Sequence, residues 1–131
     1  MKNLKFRAWD KRRKDFRNDI FVDTNGNLYQ FSKNTEYGQA ITYLDNKHIV
    51  LMQSTGLKDK YGVEIFEGDI VQYSDGEYSF TGVVENSVFG IYVESKYDNY
   101  NFEDFSDENT RKSDVTIIGN IYENKGLLDN E

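Results

Sequence analysis

Cysteine is absent from the 131 residues of this chain. That excludes a disulfide framework, a thiolate nucleophile and any zinc or iron–sulfur site built on cysteine. With no sign of an oxidising compartment, a cytosolic protein is expected. Long apolar runs are missing as well. The opening MKNLKFRAWDKRRK lacks the apolar stretch of a signal peptide, and no run reaches the roughly 18 apolar residues a membrane-spanning helix requires. Histidine occurs once. The phosphate-cradling patterns GxxxxGK followed by Ser or Thr, and GxGxxG, do not occur, nor does the GxSxG nucleophile elbow. No cofactor or metal is expected.

Aromatic residues, by contrast, are plentiful. They make up 15% of the chain, with 10 Tyr and 9 Phe, whereas disordered chains are poor in them. A chain of this length suits one domain, or two small ones sharing a core, and buries roughly two-thirds of its unfolded surface. The net charge of −7 is unevenly placed. Residues 1–33 hold nine Lys or Arg against four Asp, a formal +5, and the remainder carries −12. The basic part is concentrated in Lys11, Arg12, Arg13, Lys14 and Arg17. Such a patch can contact phosphates, but a run of like charges is more commonly a solvated face. The acidic remainder would also repel a polyanion within the Debye length.

Alternation of period two dominates, and helical periodicity is scarce. Leu4, Phe6 and Ala8 alternate with Lys5, Arg7 and Trp9, the pattern of a strand with one buried face. Residues 20–22 and 28–31 flank Asp23-Thr24-Asn25-Gly26-Asn27, which predicts a hairpin because Asn-Gly tolerates positive φ. Residues 32–46 have no clean period and fit either an irregular loop or one helical turn. A strand is read over His48–Gln53. The segment Thr55–Gly62, with a glycine near each end, reads as an exposed reversing loop, after which Val63 and Ile65 face one way. After Phe66-Glu67-Gly68 the hydrophobic phase resets, which predicts a sharp bend at Gly68. Asp69 is then expected to accept hydrogen bonds from backbone N–H groups at that corner, in preference to a catalytic role beside Glu64 and Glu67. Further turns at Asp75-Gly76 and Asn86-Ser87 separate a face of Tyr78, Phe80, Gly82 and Val84 from one of Phe89, Ile91 and Val93. A last strand carries Val115, Ile117, Gly119 and Ile121. Single glycines at positions 82, 90 and 119 fit a tightly curved sheet, and the whole predicts an all-β barrel or roll.

The N-terminal KFRAWDK (Lys5–Lys11), the central MQSTGLKDKYGVEIFEGDIV (Met52–Val71) and the C-terminal IIGNIYENKGLL (Ile117–Leu128) together resemble the YopX family of small phage and prophage proteins. The resemblance implies an all-β fold consisting of an N-terminal strand and hairpin, over residues 1–47, and a C-terminal SH3-like β-barrel or roll, over residues 48–131, the two sharing one core. It also implies a phage or prophage origin and a bacterial host cell. It brings no activity and no catalytic residue with it. Residues 15–47 and 96–112 lie outside the matching blocks.

His48, alone before an apolar strand, reads as a structural or surface residue, since a general base needs an orienting partner and a nucleophile. The acidic aromatic run Tyr97–Glu108 is rich in oxygen ligands. It fails the EF-hand spacing, because Tyr100 occupies the third ligand position and no glycine stands at the sixth. It is expected to be a long mobile loop between the last two strands, with aromatics that can clip a partner. The function expected is therefore a non-enzymatic interaction module that self-associates into a homo-oligomer or binds an unidentified protein partner. Its edge strands want covering, and its +5 and −12 regions favour head-to-tail pairing. The alternative is a nucleic-acid accessory protein in which Lys11, Arg12, Arg13, Lys14 and Arg17 meet phosphates while Trp9 and Phe16 offer stacking faces. No membrane association is expected.

Overall fold

A computed structural model of the chain describes residues 4–36 and 38–128. Among them every regular element is a strand or a short 3-10 turn. The strands are β1 (Phe6–Asp10), β2 (Asp15–Arg17), β3 (Ile20–Val22), β4 (Leu28–Thr35), β5 (Gly38–Leu44), β6 (Ile49–Lys58), β7 (Glu64–Phe66), β8 (Asp69–Ser74), β9 (Ser79–Ser87), β10 (Gly90–Ser95), β11 (Asn99–Asn101) and β12 (Val115–Asn120). They form three sheets, ordered β2-β1-β6-β7, β11-β10-β9-β8-β12 and β3-β4-β5. The strand pairs with a defined register are antiparallel throughout, and the chain is nearly all β, as expected. No helix among the described residues is long and apolar enough to cross a membrane. The chain divides into two compact units, one of residues 7–51 and one of residues 1–6 with 52–131.

In the larger unit the five-stranded sheet curls into a half-barrel around Leu57, Ile65, Val71, Phe80, Val84, Val93, Phe102 and Val115. Of the face read as Tyr78, Phe80, Gly82 and Val84, the last three are buried, whereas Tyr78 precedes β9 and is exposed. Curvature brings Gly82 under strain that only glycine relieves. A Cβ at Gly82 would stand 2.5 Å from the carbonyl oxygen of Glu94 and 2.7 Å from Val93 Cγ1. The corner after β7 is also where the phase reset places it. Gly68 has φ +86°, its N–H donates to Val84 O at 2.9 Å, and its carbonyl accepts from Ile121 N at 3.0 Å.

Several local expectations are corrected. β6 runs through to Lys58 with Leu57 buried, so the exposed loop shrinks to the turn Asp59–Val63, and Val63 is exposed while Ile65 is fully buried. The turn expected at Asn86-Ser87 lies at Val88-Phe89, because β9 continues to Ser87, which pairs with Gly90. Gly90, which follows that turn, takes φ +121°. Phe89 accordingly points out at the hairpin tip instead of joining the face of Ile91 and Val93. Nor is the run Tyr97–Glu108 a structureless loop. β11 adds an edge to the curled sheet, a 3-10 turn at Phe102–Asp104 drives Phe102 into the core, and Tyr100 stacks on Phe80 at 4.0 Å. Tyr100 and Phe102 thus complete the core, while Tyr97 stands in solvent.

The smaller unit packs Ala8, Leu28 and Ile49 with Ile20, Leu44 and Leu51. The hairpin β3–β4 forms where Asn25-Gly26 predicts it, with Asp23 Oδ1 accepting the N–H groups of Asn25 and Asn27 at 2.9 Å. Of residues 32–46, read as either an irregular loop or one helical turn, 32–35 extend β4, 38–44 return as β5, and a 3-10 turn begins at Asn46. On β1, Leu4 and Phe6 are exposed, and Ala8, Trp9 and Asp10 are the buried residues. Across the β1–β2 pair Trp9 meets Phe16 edge-on at 4.9 Å, so the indole, not the Leu4–Phe6 face, is covered.

Replacing Gly68 with Val is expected to cost on the order of 1–3 kcal/mol. A β-branched residue resists φ +86°, and its Cβ would lie 3.0 Å from Met52 Sδ. Urea unfolding of Gly68→Val against the parent chain measures this, and an unchanged midpoint would remove the corner from the account.

Candidate functional site

Four acidic or amide side chains are buried, Asp10, Asp59, Asp69 and Asn120, and each points its oxygens at backbone N–H groups. Asp69 Oδ2 accepts from Phe66 N at 2.8 Å, the corner role expected for it. Asp59 Oδ1 accepts from Tyr61 N and Val63 N at 2.9 Å, and Oδ2 from Ile117 N at 3.4 Å. Asn120 Oδ1 accepts from Tyr122 N and Glu123 N at 2.9 Å. Asp10 Oδ1 takes the N–H groups of Arg12 and Arg13, both at 2.9 Å. Carboxylates spent on the main chain in this way shape turns; they do not converge on a common point.

The turn made by Asp10 presents the basic run. Lys14 N donates to the Asp10 carbonyl at 2.7 Å and Lys14 itself takes φ +59°. Lys11, Arg12, Arg13 and Lys14 are exposed, but their charges are not all free. Arg13 pairs with Asp15 at 3.1 Å. Arg12 Nη2 lies 2.6 Å from His48 Nε2, so the single histidine has a partner on the surface of the unit. Arg17 is drawn inward, bonded to Asp19 at 2.7 Å, to Asp10 at 3.3 Å and to Gln30 Oε1 at 3.0 Å. Those bonds, to Asp19 first, push the guanidinium's pKa up. Trp9 is 5% exposed, which corrects its reading as a stacking face: a covered indole offers no surface to a base. Phe16 is partly exposed, with the Arg7 guanidinium 4.9 Å from its ring centre. Of the seven residues read as a nucleic-acid patch, the structure thus leaves Lys11, Arg12 and Lys14 outermost and ties Arg13 and Arg17 to carboxylates.

The larger unit has a groove of about 560 Å³ lined by Lys5, Ser54, Leu57, Lys58, Glu64 and Arg111, among others. Lys5 Nζ stands 3.6 Å from Glu64, which also accepts the Ser54 hydroxyl, and Ser54 Oγ accepts Gly56 N at 3.1 Å. The serine hydroxyl donating to this carboxylate gives the groove a polar wall. Sequence reading missed this groove because Lys5, Ser54 and Glu64 lie far apart in the chain. A second feature missed is the number of apolar side chains standing in solvent on ordered strands. Val88 and Phe89 at the β9–β10 tip are each 94% exposed, and Ile41 and Tyr43 on β5 are 63% and 69% exposed.

Two carboxylates carry pH dependence of opposite sign. Asp10 is held below the usual carboxylate range, first by the N–H of Arg13 and then by Arg12 and Arg17, against the opposing effect of burial. Its stabilising contribution is present above the unfolded-state value near 4 and lost as pH falls through the lowered folded value. Asp10→Asn should therefore lower stability at pH 7 by about 1–3 kcal/mol, with the two unfolding curves converging as the pH is lowered well below 4. Glu85 is pushed up by burial and by neighbouring Glu94 and Glu67. Its charge opposes folding above the raised value, and the penalty vanishes below the unfolded one. Glu85→Gln should raise the melting temperature at pH 7 and leave it unchanged near pH 3, as thermal scans across pH would show.

The family model described as YopX protein matches residues 5–129. Among solved structures, protein EF1440 from Enterococcus faecalis is similar at 30% identity, with 96% of this chain and 98% of that chain covered and a TM-score of 0.61. Protein yopX from Bacillus subtilis is similar in fold at 23% identity, covering 94% of each chain with a TM-score of 0.62. None of the curated proteins matches.

Proposed function

The chain belongs to the YopX family, and from that premise we propose that it is a non-enzymatic, self-associating protein-interaction module of phage or prophage origin, working in the cytoplasm of a bacterial host with an SH3-like larger unit. The observation that carries this reading is the display of large apolar side chains, Ile41, Tyr43, Val88 and Phe89, on ordered strands and a tight hairpin. Large apolar side chains held in solvent on ordered elements, as in each of the two units, support a surface that meets another macromolecule. The buried carboxylates, each occupied by backbone N–H groups, support the non-enzymatic part.

Because Arg13 and Arg17 are neutralised within their own unit, association is driven by apolar contact more than by the head-to-tail pairing of charge. A second reading rests on the Asp10-centred turn, which holds Lys11, Arg12 and Lys14 outward as a small phosphate-facing ridge. Light scattering on a size-exclusion column, at low and high salt, together with an oligonucleotide gel shift, separates the two. An oligomer that persists at high salt and shifts no oligonucleotide is expected. A monomer that binds oligonucleotide with a steep salt slope, lost in the Arg12→Ala, Arg13→Ala double variant, would replace the module with the accessory protein.

A further inference from the structure

The three-stranded sheet has two apolar faces. In its register Val22, Leu28 and Leu44 share one row, on the face that packs into the smaller unit's core. The other face carries Phe21, Tyr29 and Tyr43 in one row and Phe31 and Ile41 in the next. Rings touch along it: Tyr29 meets Tyr43 at 5.9 Å and Phe21 meets Phe31 at 6.3 Å, both edge-on. Phe21, Ile41 and Tyr43 are nevertheless exposed.

The edges of this sheet are β3, of three residues, and the longer β5. The hydrogen-bonding phase of β5 follows from one bond. Phe31 N donates to Asp19 O, so the odd residues of β4 turn their main-chain groups to the β3 side and the even ones to β5. Leu28 then bonds Leu44, and Gln30 bonds Thr42. Ile41 and Tyr43, opposite Phe31 and Tyr29, turn their N–H and C=O groups away from β4, toward the side where no strand pairs among the described residues. Natural edges are guarded by Lys, Pro, bulges or brevity. The seven residues GQAITYL of β5 contain no charge and no proline.

We propose that β5 pairs antiparallel with β5 of a second copy about a two-fold axis, joining two three-stranded sheets into one of six strands. The occupant is a second copy because the edge is self-complementary. Centred on Thr42, the pairing sets Ile41 opposite the second copy's Tyr43, and Tyr43 opposite the second copy's Ile41, in hydrogen-bonded positions with their side chains on one face. The aromatic rows of the two sheets become continuous. Antiparallel pairing also brings the end that carries the exposed Glu36 beside the second copy's end that carries the exposed Lys47, twice over. The apolar face amounts to only a few hundred Å², below the roughly 800 Å² per partner of a standard interface, so main-chain bonds must supply the rest and the dimer is reversible.

This rests on the self-association reading above and names its surface. The chain's lack of cysteine makes a single introduced thiol unambiguous. Thr42 is exposed and would face its own counterpart at a non-hydrogen-bonded pair, where Cα atoms lie about 4.5 Å apart, within disulfide reach. Mild oxidation of Thr42→Cys is expected to give a disulfide-linked dimer at least tenfold faster than Val88→Cys at the exposed hairpin tip. Ile41→Lys is expected to weaken dimerisation in sedimentation equilibrium by at least tenfold with circular dichroism unchanged. A dimer that survives Ile41→Lys, with Thr42→Cys cross-linking no faster than Val88→Cys, would overturn the β5 interface while leaving the interaction module standing. A parent chain that stays monomeric to millimolar concentration would overturn both.

Discussion

A buried oxygen facing two backbone N–H groups is the interaction on which this fold turns. Asp10, Asp59 and Asn120 each repeat it, and Asp69 accepts Phe66 N at the corner after β7. Burying a carboxylate is costly unless its lone pairs are satisfied, and main-chain donors at a turn are costly unless an acceptor reaches them. Placing the two together offsets both penalties at once. It also fixes direction, because the acceptor holds the chain's exit angle as well as the turn. Sheets as short as these, some of three residues, have little ladder energy to set their own orientation.

The same arrangement explains why the conspicuous acids of the sequence are poor guides to chemistry. All four of these buried oxygens lie within the KFRAWDK, MQSTGLKDKYGVEIFEGDIV and IIGNIYENKGLL blocks that carry the family resemblance. Those blocks are the corners of the structure. The exposed apolar side chains of β5 and of the β9–β10 tip lie outside them.

Legibility in the sequence followed the strength of local signals. Asp23 to Asn27 announced a hairpin because its turn chemistry is local, and Gly68 announced a corner because the alternation around it breaks. Asp69 was readable as a backbone acceptor for the same reason. The strand β5 was not, because both of its faces are apolar: Ile41 and Tyr43 on one side and Ala40 and Leu44 on the other leave no period to detect. Trp9 was read as a stacking face since its cover, Phe16, comes from the neighbouring strand. The run Tyr97–Glu108 looked like a loop by polarity, yet tertiary stacking of Tyr100 on Phe80 and burial of Phe102 outweigh that composition. The groove beside Lys5 and Glu64 is assembled from distant segments and has no signature along the chain.

One bond of Asp59 reaches far. Its carboxylate holds the turn after β6 and also meets Ile117 N, while Lys60 N donates to the Val115 carbonyl and Ser54 N to that of Lys5. The larger unit is thus stitched from residues near both termini, contacts of high sequence separation that are slow to form. A nascent chain emerging from the ribosome can complete the smaller unit, residues 7–51, while the larger one waits until synthesis has passed residue 117. The order of translation sets the order of assembly.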